Sequence, residues 1–432
     1  MLIQDIIYDD YVEINGIYYD FVKTPEFQRL RDIKQLGSAS YIFPSANHTR
    51  KEHLIGSYFL ADKFLSILNK NQPDLNIEKR DFQNVKLSAL LHDIGHCSFS
   101  HTFDNYFLHT IFDKKIIKEA NHEYRSIKLL DYIINKYNIE IEESDIKYVK
   151  EYISRYNYED IDFNKKKFLF NITNNNINGI DIDKLDYFHR DSTYLKYYIN
   201  YDYKHIFHKC KIIDDKICYH KNVINNLYAI YNTRFNLHRD VYSHRKVISV
   251  DLMISDIYLL CDKKYQISNS IFNMAQFCKI TDSFINIIDY DIDRLKNDKN
   301  ITKIDDDLLK AHKLIKNLKS INYYKCIFEY ITINKITTIN DIKKYLLTFI
   351  DEEILKNNFR IVINTIKSSS INQQKNVFEN TNFYNYENNI IDISKFTNNE
   401  YENKINYSYK IFITDKIEYN NNKLQELINI IL

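Results

Sequence analysis

The chain has no uncharged apolar run approaching the roughly 20 residues that a membrane-spanning helix requires, so no transmembrane segment is expected. Its start lacks the basic residues and apolar core of a secretory signal and carries Asp5 and Asp10 instead, which predicts an intracellular protein, cytoplasmic or nuclear. Cysteine is sparse and scattered: Cys97, Cys210, Cys218, Cys261, Cys278 and Cys326 form no Cys-x-x-Cys pair. That argues for free thiols and against a disulfide framework. An excess of either charge is missing too, with 59 Lys and Arg against 58 Asp and Glu. A chain so balanced has no general electrostatic footprint for nucleic acid or an anionic membrane, so a charged ligand has to be held by local clusters.

What the chain does have is helical spacing. Leu54, Tyr58, Ala61, Leu65 and Leu68 fall on one helical face, and Val85, Ala89 and His92 on another, which predicts an all-α core over the first 260 or so residues. The apolar run from Leu87 ends at Gly95, so His92 and Asp93 are expected near a helix C-terminus. Segments 171–179 and 420–422 are Asn-rich and read as loops or frayed ends. Farther on, Phe272 to Tyr290 and Ile342 to Phe349 look helical, whereas Phe359 to Ile366 and Ser408 to Thr414 alternate like strands. At 432 residues the chain exceeds one ordinary core. The fold expected is therefore mainly α, with a helical core over residues 1–270 and a smaller mixed α/β region over 271–432.

Chemistry concentrates in Leu91-His92-Asp93-Ile94-Gly95-His96-Cys97-Ser98-Phe99-Ser100-His101, with Asp104 just beyond. Imidazole and carboxylate are the usual protein ligands of a divalent transition metal, and an adjacent His and Asp at a helix end can reach one ion. His53 follows the polar Arg50-Lys51-Glu52 at the head of an apolar helix, where its ring can face a neighbouring helix. In the run from Asp181 to Asp191, helical spacing puts Asp183, Tyr187 and Asp191 on one face. Asp183 is thus a candidate to complete a set with His53, His92 and Asp93. A lone His on an apolar helix is more often a hydrogen-bonded core residue, and an acidic helix face is usually just solvated; the case rests on all four together.

The order His53, His92-Asp93, Asp183 resembles the metal-binding signature of the HD phosphohydrolase superfamily. The text around it is more specific. Thr24-Pro25-Glu26-Phe27-Gln28-Arg29-Leu30-Arg31, Ile33-Lys34-Gln35-Leu36-Gly37, His92 to His101, Gly179 to Phe188 and Thr233-Arg234-Phe235-Asn236-Leu237-His238-Arg239 resemble the HD domain of the sterile-alpha-motif/HD-domain deoxynucleoside triphosphate triphosphohydrolase family. The likeness runs from Ile3 to about Asp282 and continues more weakly, with no counterpart of the sterile-alpha-motif domain. It implies an HD phosphohydrolase domain over 1–270. It also implies hydrolysis of deoxynucleoside triphosphates to deoxynucleoside and inorganic triphosphate, by a homo-oligomer, dimer or tetramer.

The same resemblance implies the site. Metal ligands are His53, His92, Asp93 and Asp183, a set suited to Fe, Mn or Zn, with Mg accompanying the substrate. Catalytic machinery falls on His96, His101, Asp104 and His122, with His101 as the general acid and His122 its rival. Arg50, Lys184 and Arg234 hold the triphosphate, Tyr187 adds a hydroxyl, and His238 is a further substrate contact. Tyr242 and Leu36 wall off C2′ of the sugar, while Gln35 and Asp191 take the 3′-hydroxyl. The sequence departs from the family at Leu185 and His189, where a Trp and an Ala are usual, and at Ser243, where a Gln is. Lys23 replaces a carboxylate of the guanine-nucleotide activating site, and His220 and Asn222 replace basic residues there, so activation by GTP is not expected. Two other readings stay open: an HD nuclease or phosphodiesterase, which needs an open basic groove with interleaved aromatics, and a non-catalytic nucleotide-binding regulator, which would have lost some of these residues.

Overall fold

The computed structural model describes residues 1–8, 10–112, 117–154, 166–298, 303–333, 337–369, 376–393, 401–415 and 419–431. At its centre lies the helix Arg50–Asn71. Its start is fixed by Thr49 and Glu52: the Thr49 amide and hydroxyl both donate to the Glu52 carboxylate, at 2.6 and 2.8 Å, satisfying groups that an open helix end would leave bare. Leu54, Tyr58, Ala61, Leu65 and Leu68 are all buried, as their spacing predicts. The helix packs on Lys79–Leu91 and on Ile182–Leu195, and Ile224–Leu237 and Arg245–Tyr265 complete the surrounding layer.

Two small hairpins modify the expectation of an all-α core. Leu2–Gln4 pairs antiparallel with Tyr11–Glu13, and Cys210–Ile213 with Lys216–His220. The second turns on Asp214 and Asp215, both at positive φ (49° and 58°), a backbone that suits the right-handed twist of a tight hairpin and that Asp tolerates. Asn382–Tyr384 then adds to it in parallel from the far end of the chain.

The C-terminal region is mixed α/β. Its antiparallel sheet has the order Lys325–Thr332, Ile405–Ile413, Phe359–Lys367. Tyr409, Ile411 and Ile413 face a second apolar cluster with Ile342, Leu346 and Leu355, while Val362 and Phe412 on the other face join the main core. The sheet is therefore seated on the helical body. Two expectations fail here. Phe272 to Tyr290 is not one helix but the short Met274–Phe277 followed by Phe284–Asn297. The break falls where Asp282 turns inward to accept the Phe99 and Lys34 amides at 2.6 and 2.9 Å. Nor is 420–422 a loop: the Asn420 side chain caps the helix Asn421–Glu426. Among the described residues no helix is long and apolar enough to cross a membrane.

Candidate active site

His53 is the fourth residue of its helix, His92 caps the end of Lys79–Leu91, Asp93 follows in the turn, and Asp183 is the second residue of Ile182–Leu195. Three elements thus bring the four residues to one place. The Nε2 atoms of His53 and His92 lie 3.3 Å apart, and each is 3.2–3.3 Å from Asp183 Oδ1. Asp93 stands slightly back, its oxygens 3.8 Å from the two Nε2 atoms.

The outer nitrogens fix the tautomers. His92 Nδ1 lies 3.0 Å from the Ala89 carbonyl, which can only accept, and His53 Nδ1 lies 2.8 Å from Asp186 Oδ2. Both Nδ1 atoms therefore carry the proton and both Nε2 atoms present lone pairs to the same point. Two facing lone pairs beside two carboxylates repel unless a cation sits among them. The donor set fits a divalent transition ion. Burial opposes charge on His53, yet Asp183 and Asp186 outweigh it and pull its pKa up to about 9, a measure of the negative potential at that point.

Behind His53, Asp186 is fully buried and accepts from the Tyr8 hydroxyl at 2.7 Å and from Arg190 Nε at 2.9 Å. Arg190 in turn reaches Asp5 at 3.0 Å. Asp186 falls inside the Gly179 to Phe188 motif, and its spacing from Asp183, one helical turn, was the available signal. Tyr8 and Asp5 gave none, since nothing local connects them to residue 186.

The second group lies alongside. His122 Nδ1 donates to Asp104 Oδ2 at 2.9 Å, and the other Asp104 oxygen accepts from Arg125. Arg125 and His122 hold the Asp104 carboxylate well below the usual range against the cost of burial. The His96 ring stacks on His122 with centroids 4.0 Å apart, and His101 meets both rings edge-on. The helix before His92 stops at Leu91, and a tight turn through Gly95 delivers His96. A Cβ on Gly95 would collide with the His122 carbonyl, so glycine lets the two histidine segments abut. Asp104 pairs with His122, whereas His101 opens to the pocket. Burial, then Arg50 and His122, push the pKa of His96 down; His101 is lowered by desolvation in the pocket and by the same two neighbours.

Both groups border one pocket of about 580 Å³. Gln35, Leu36, Arg50, Lys184, Tyr187, Asp191, Arg234, His238 and Tyr242 all line it. Arg50 bonds Asp93, with Nε at 3.0 Å from Ser100 Oγ, Lys184 bonds Asp181 at 2.6 Å, and the Nε of Arg234 has no hydrogen-bond partner among the described residues. His238 and Tyr242 share a π-helical turn, His238–Tyr242, a deformation that aims both rings inward. The Tyr242 hydroxyl donates to Asp191 Oδ2 at 2.6 Å. Asn364 and Thr365 of the C-terminal sheet close the far wall, a contribution that no local pattern announces. A third cluster, Asp289, Asp293 and His312, is answered by Lys296, Lys316 and Lys319 and has its charge balanced without an ion.

A model of the HD domain matches residues 50–191, the span that begins at Arg50 and ends at Asp191. The chain is 32% identical over 385 residues to the deoxynucleoside triphosphate triphosphohydrolase SAMHD1 homolog of Dictyostelium discoideum, covering 89% of this chain and 70% of that protein. It is 35% identical over 351 residues to the Bos taurus SAMHD1, covering 74% of this chain and 57% of the relative. To the Homo sapiens SAMHD1 it is 35% identical over 325 residues, covering 68% and 51%. The chain thus spans little more than half the length of these two mammalian relatives.

Proposed function

Because the chain belongs to the HD-domain family of the SAMHD1 deoxynucleoside triphosphate triphosphohydrolases, we propose that it hydrolyses deoxynucleoside triphosphates to deoxynucleoside and inorganic triphosphate. The observation that carries this reading is a single pocket bordered on one side by converging imidazole and carboxylate donors and on the other by Arg50, Lys184 and Arg234. His53, His92, Asp93 and Asp183 would hold a divalent transition ion, Fe, Mn or Zn, with Mg on the substrate. Such an ion polarises the α-phosphoryl group and lowers the pKa of water bound to it.

The residues of the chain supply the rest. Arg50, Lys184 and Arg234 orient the triphosphate, the guanidinium fork suiting paired phosphate oxygens. Water oxygen adds at the α-phosphorus and sheds its proton to solvent, the bond to the 5′ oxygen breaks, and that oxygen takes a proton from His101. Desolvation, then Arg50 and His122, disfavour the proton on His101 in the free protein; a triphosphate on Arg50 would offset the Arg50 part of that and favour the proton. His122, held by Asp104, stands behind His101 as a second donor. Tyr242 and Leu36 face the sugar, Gln35 and Asp191 its 3′-hydroxyl, Tyr187 adds a hydroxyl to the triphosphate contacts, and His238 is a further substrate contact. The assignment of 1–270 to the catalytic domain and 271–432 to a smaller region goes with this reading, as does a homo-oligomer, dimer or tetramer, placed with its substrate in cytoplasm or nucleus.

Incubating the protein with each deoxynucleoside triphosphate and resolving the products tests the reaction. Deoxynucleoside plus triphosphate is expected; nucleoside monophosphate plus pyrophosphate would place cleavage at another bond and refute it.

A further inference from the structure

His48 takes no part in the site as read from the sequence, yet it is fully buried within bonding distance of it. Its Nε2 lies 2.7 Å from Asp191 Oδ1, and the second oxygen of that carboxylate accepts the Tyr242 hydroxyl at 2.6 Å. A carboxylate can only accept, so Nε2 carries the proton and Nδ1 is left with a lone pair. That Nδ1 is buried and has no partner among the described residues. The fold leaves a polar atom unsatisfied in order to keep the ring where it is, which marks the bond to Asp191 as the reason for the histidine.

The ring has little freedom to turn. It stacks on Tyr194 with centroids 4.4 Å apart and planes 24° from parallel. The Tyr194 hydroxyl donates to Glu52 at 2.8 Å, and Glu52 is the residue that caps the helix carrying Arg50 and His53. A chain of contacts therefore runs from the head of that helix through Tyr194 and His48 to Asp191 and on to Tyr242, which is half-buried and lines the pocket.

We infer that His48 is a positioning residue for sugar selection: by clamping one oxygen of Asp191, it fixes the other as the acceptor that holds the Tyr242 ring against the C2′ side of the substrate. The inference rests on the proposed triphosphohydrolase reading. Without the clamp, Asp191 can rotate about its side chain, the Tyr242 hydroxyl loses its fixed acceptor, and the ring can yield to a 2′-hydroxyl. Ribonucleotides then gain more than deoxyribonucleotides lose.

Two substitutions separate the donor from the ring. His48→Phe keeps the stack on Tyr194 and removes the donor; His48→Gln keeps a donor at similar reach and removes the stack. The measurement is the ratio of kcat/KM for dATP over ATP, with binding of both nucleotides followed by equilibrium dialysis. His48→Phe is expected to lower the ratio by a factor on the order of 10, chiefly through a lower KM for ATP, and His48→Gln to restore most of it. Tyr242→Phe breaks the same bond from its other end, and the double variant with His48→Phe should be no worse than either single one. A purely structural role for His48 would depress both nucleotides alike and leave the ratio unchanged. An unchanged ratio in folded His48→Phe overturns the inference, and if that variant does not fold, an unchanged ratio in Tyr242→Phe does so. If the unaltered protein binds neither nucleotide, the proposed function falls first and the inference with it; if it hydrolyses dATP as proposed and the ratio does not move, the inference alone falls.

Discussion

At the residue scale, the two histidines competing for the role of acid differ in surroundings: His122 is tied to Asp104, while His101 is open to the pocket. His101→Ala is expected to retain its metal and lose turnover by a factor on the order of 100 or more, as for removal of a general acid. Elemental analysis and initial rates read the two quantities; a much larger loss in His122→Ala would exchange the roles. Asp282 carries a separate prediction. Burial raises its pKa to about 7, although the Phe99 and Lys34 amides favour the anion. The folded state thus holds this proton more tightly than the unfolded chain, where a carboxyl titrates near ~4. The stability it confers is complete below ~4 and is lost as pH climbs through about 7. Asp282→Asn, neutral throughout, should show a melting temperature that falls less than that of the unaltered protein between about pH 5 and about pH 8. Parallel melting curves for the two would show the pKa shift to be wrong. The four proposed ligands could be picked out in the sequence because they fall within recognisable text. It hid His48 and Tyr8, whose importance comes wholly from partners 143 and 178 residues away.

Helices meet at the site through one small residue. Gly56 sits where a Cβ would land on the Asp186 carboxylate and the Arg190 guanidinium. Ala in place of Gly favours a helix by up to about 1 kcal/mol, but overpacking a tight contact costs about 1–3 kcal/mol, so the clash prevails. Gly56→Ala should therefore be less stable to denaturant and bind metal more weakly, because separating Arg50–Asn71 from Ile182–Leu195 draws His53 away from Asp183. A variant with unaltered metal affinity would show that the two helices are not held at this distance by the glycine. Long helices were readable from their spacing, since burial on one face leaves a 3.6-residue imprint. Short elements were not. The Cys210–His220 hairpin is only four and five residues a strand, and its turn uses Asp214-Asp215 rather than a glycine. The Phe272 to Tyr290 stretch kept its helical spacing across a break made by the distant partners of Asp282.

For the whole molecule, regulation is at issue: Lys23 stands where the resemblance implies a guanine-binding carboxylate. A carboxylate accepts two hydrogen bonds from a guanine edge, whereas the Lys23 ammonium only donates, and here it is exposed and paired with Asp20 at 2.7 Å. His220 caps a turn by accepting the Asn222 amide, and the Asn222 side chain donates to Tyr386. Adding GTP to an assay with a pyrimidine deoxynucleotide should change the rate by less than ~2-fold and leave the mass from light scattering unaltered; GTP-driven assembly with a large rate increase would contradict it. The contribution of Asn364 and Thr365 to the pocket is a property of this same scale, because only the folded chain brings strand Phe359–Lys367 over the helical body. So is the reach of the first hairpin, whose Tyr8 and Asp5 close around Asp186 and Arg190. Since Asp186 steadies His53, docking of that hairpin and occupancy of the proposed metal site would favour each other, and thermodynamic reciprocity would make the coupling run in both directions. The N-terminal segment is then a gauge of the ion. Stripping the metal with a chelator should speed protease cleavage within residues 1–15, and removing residues 1–8 should loosen the metal by the same factor.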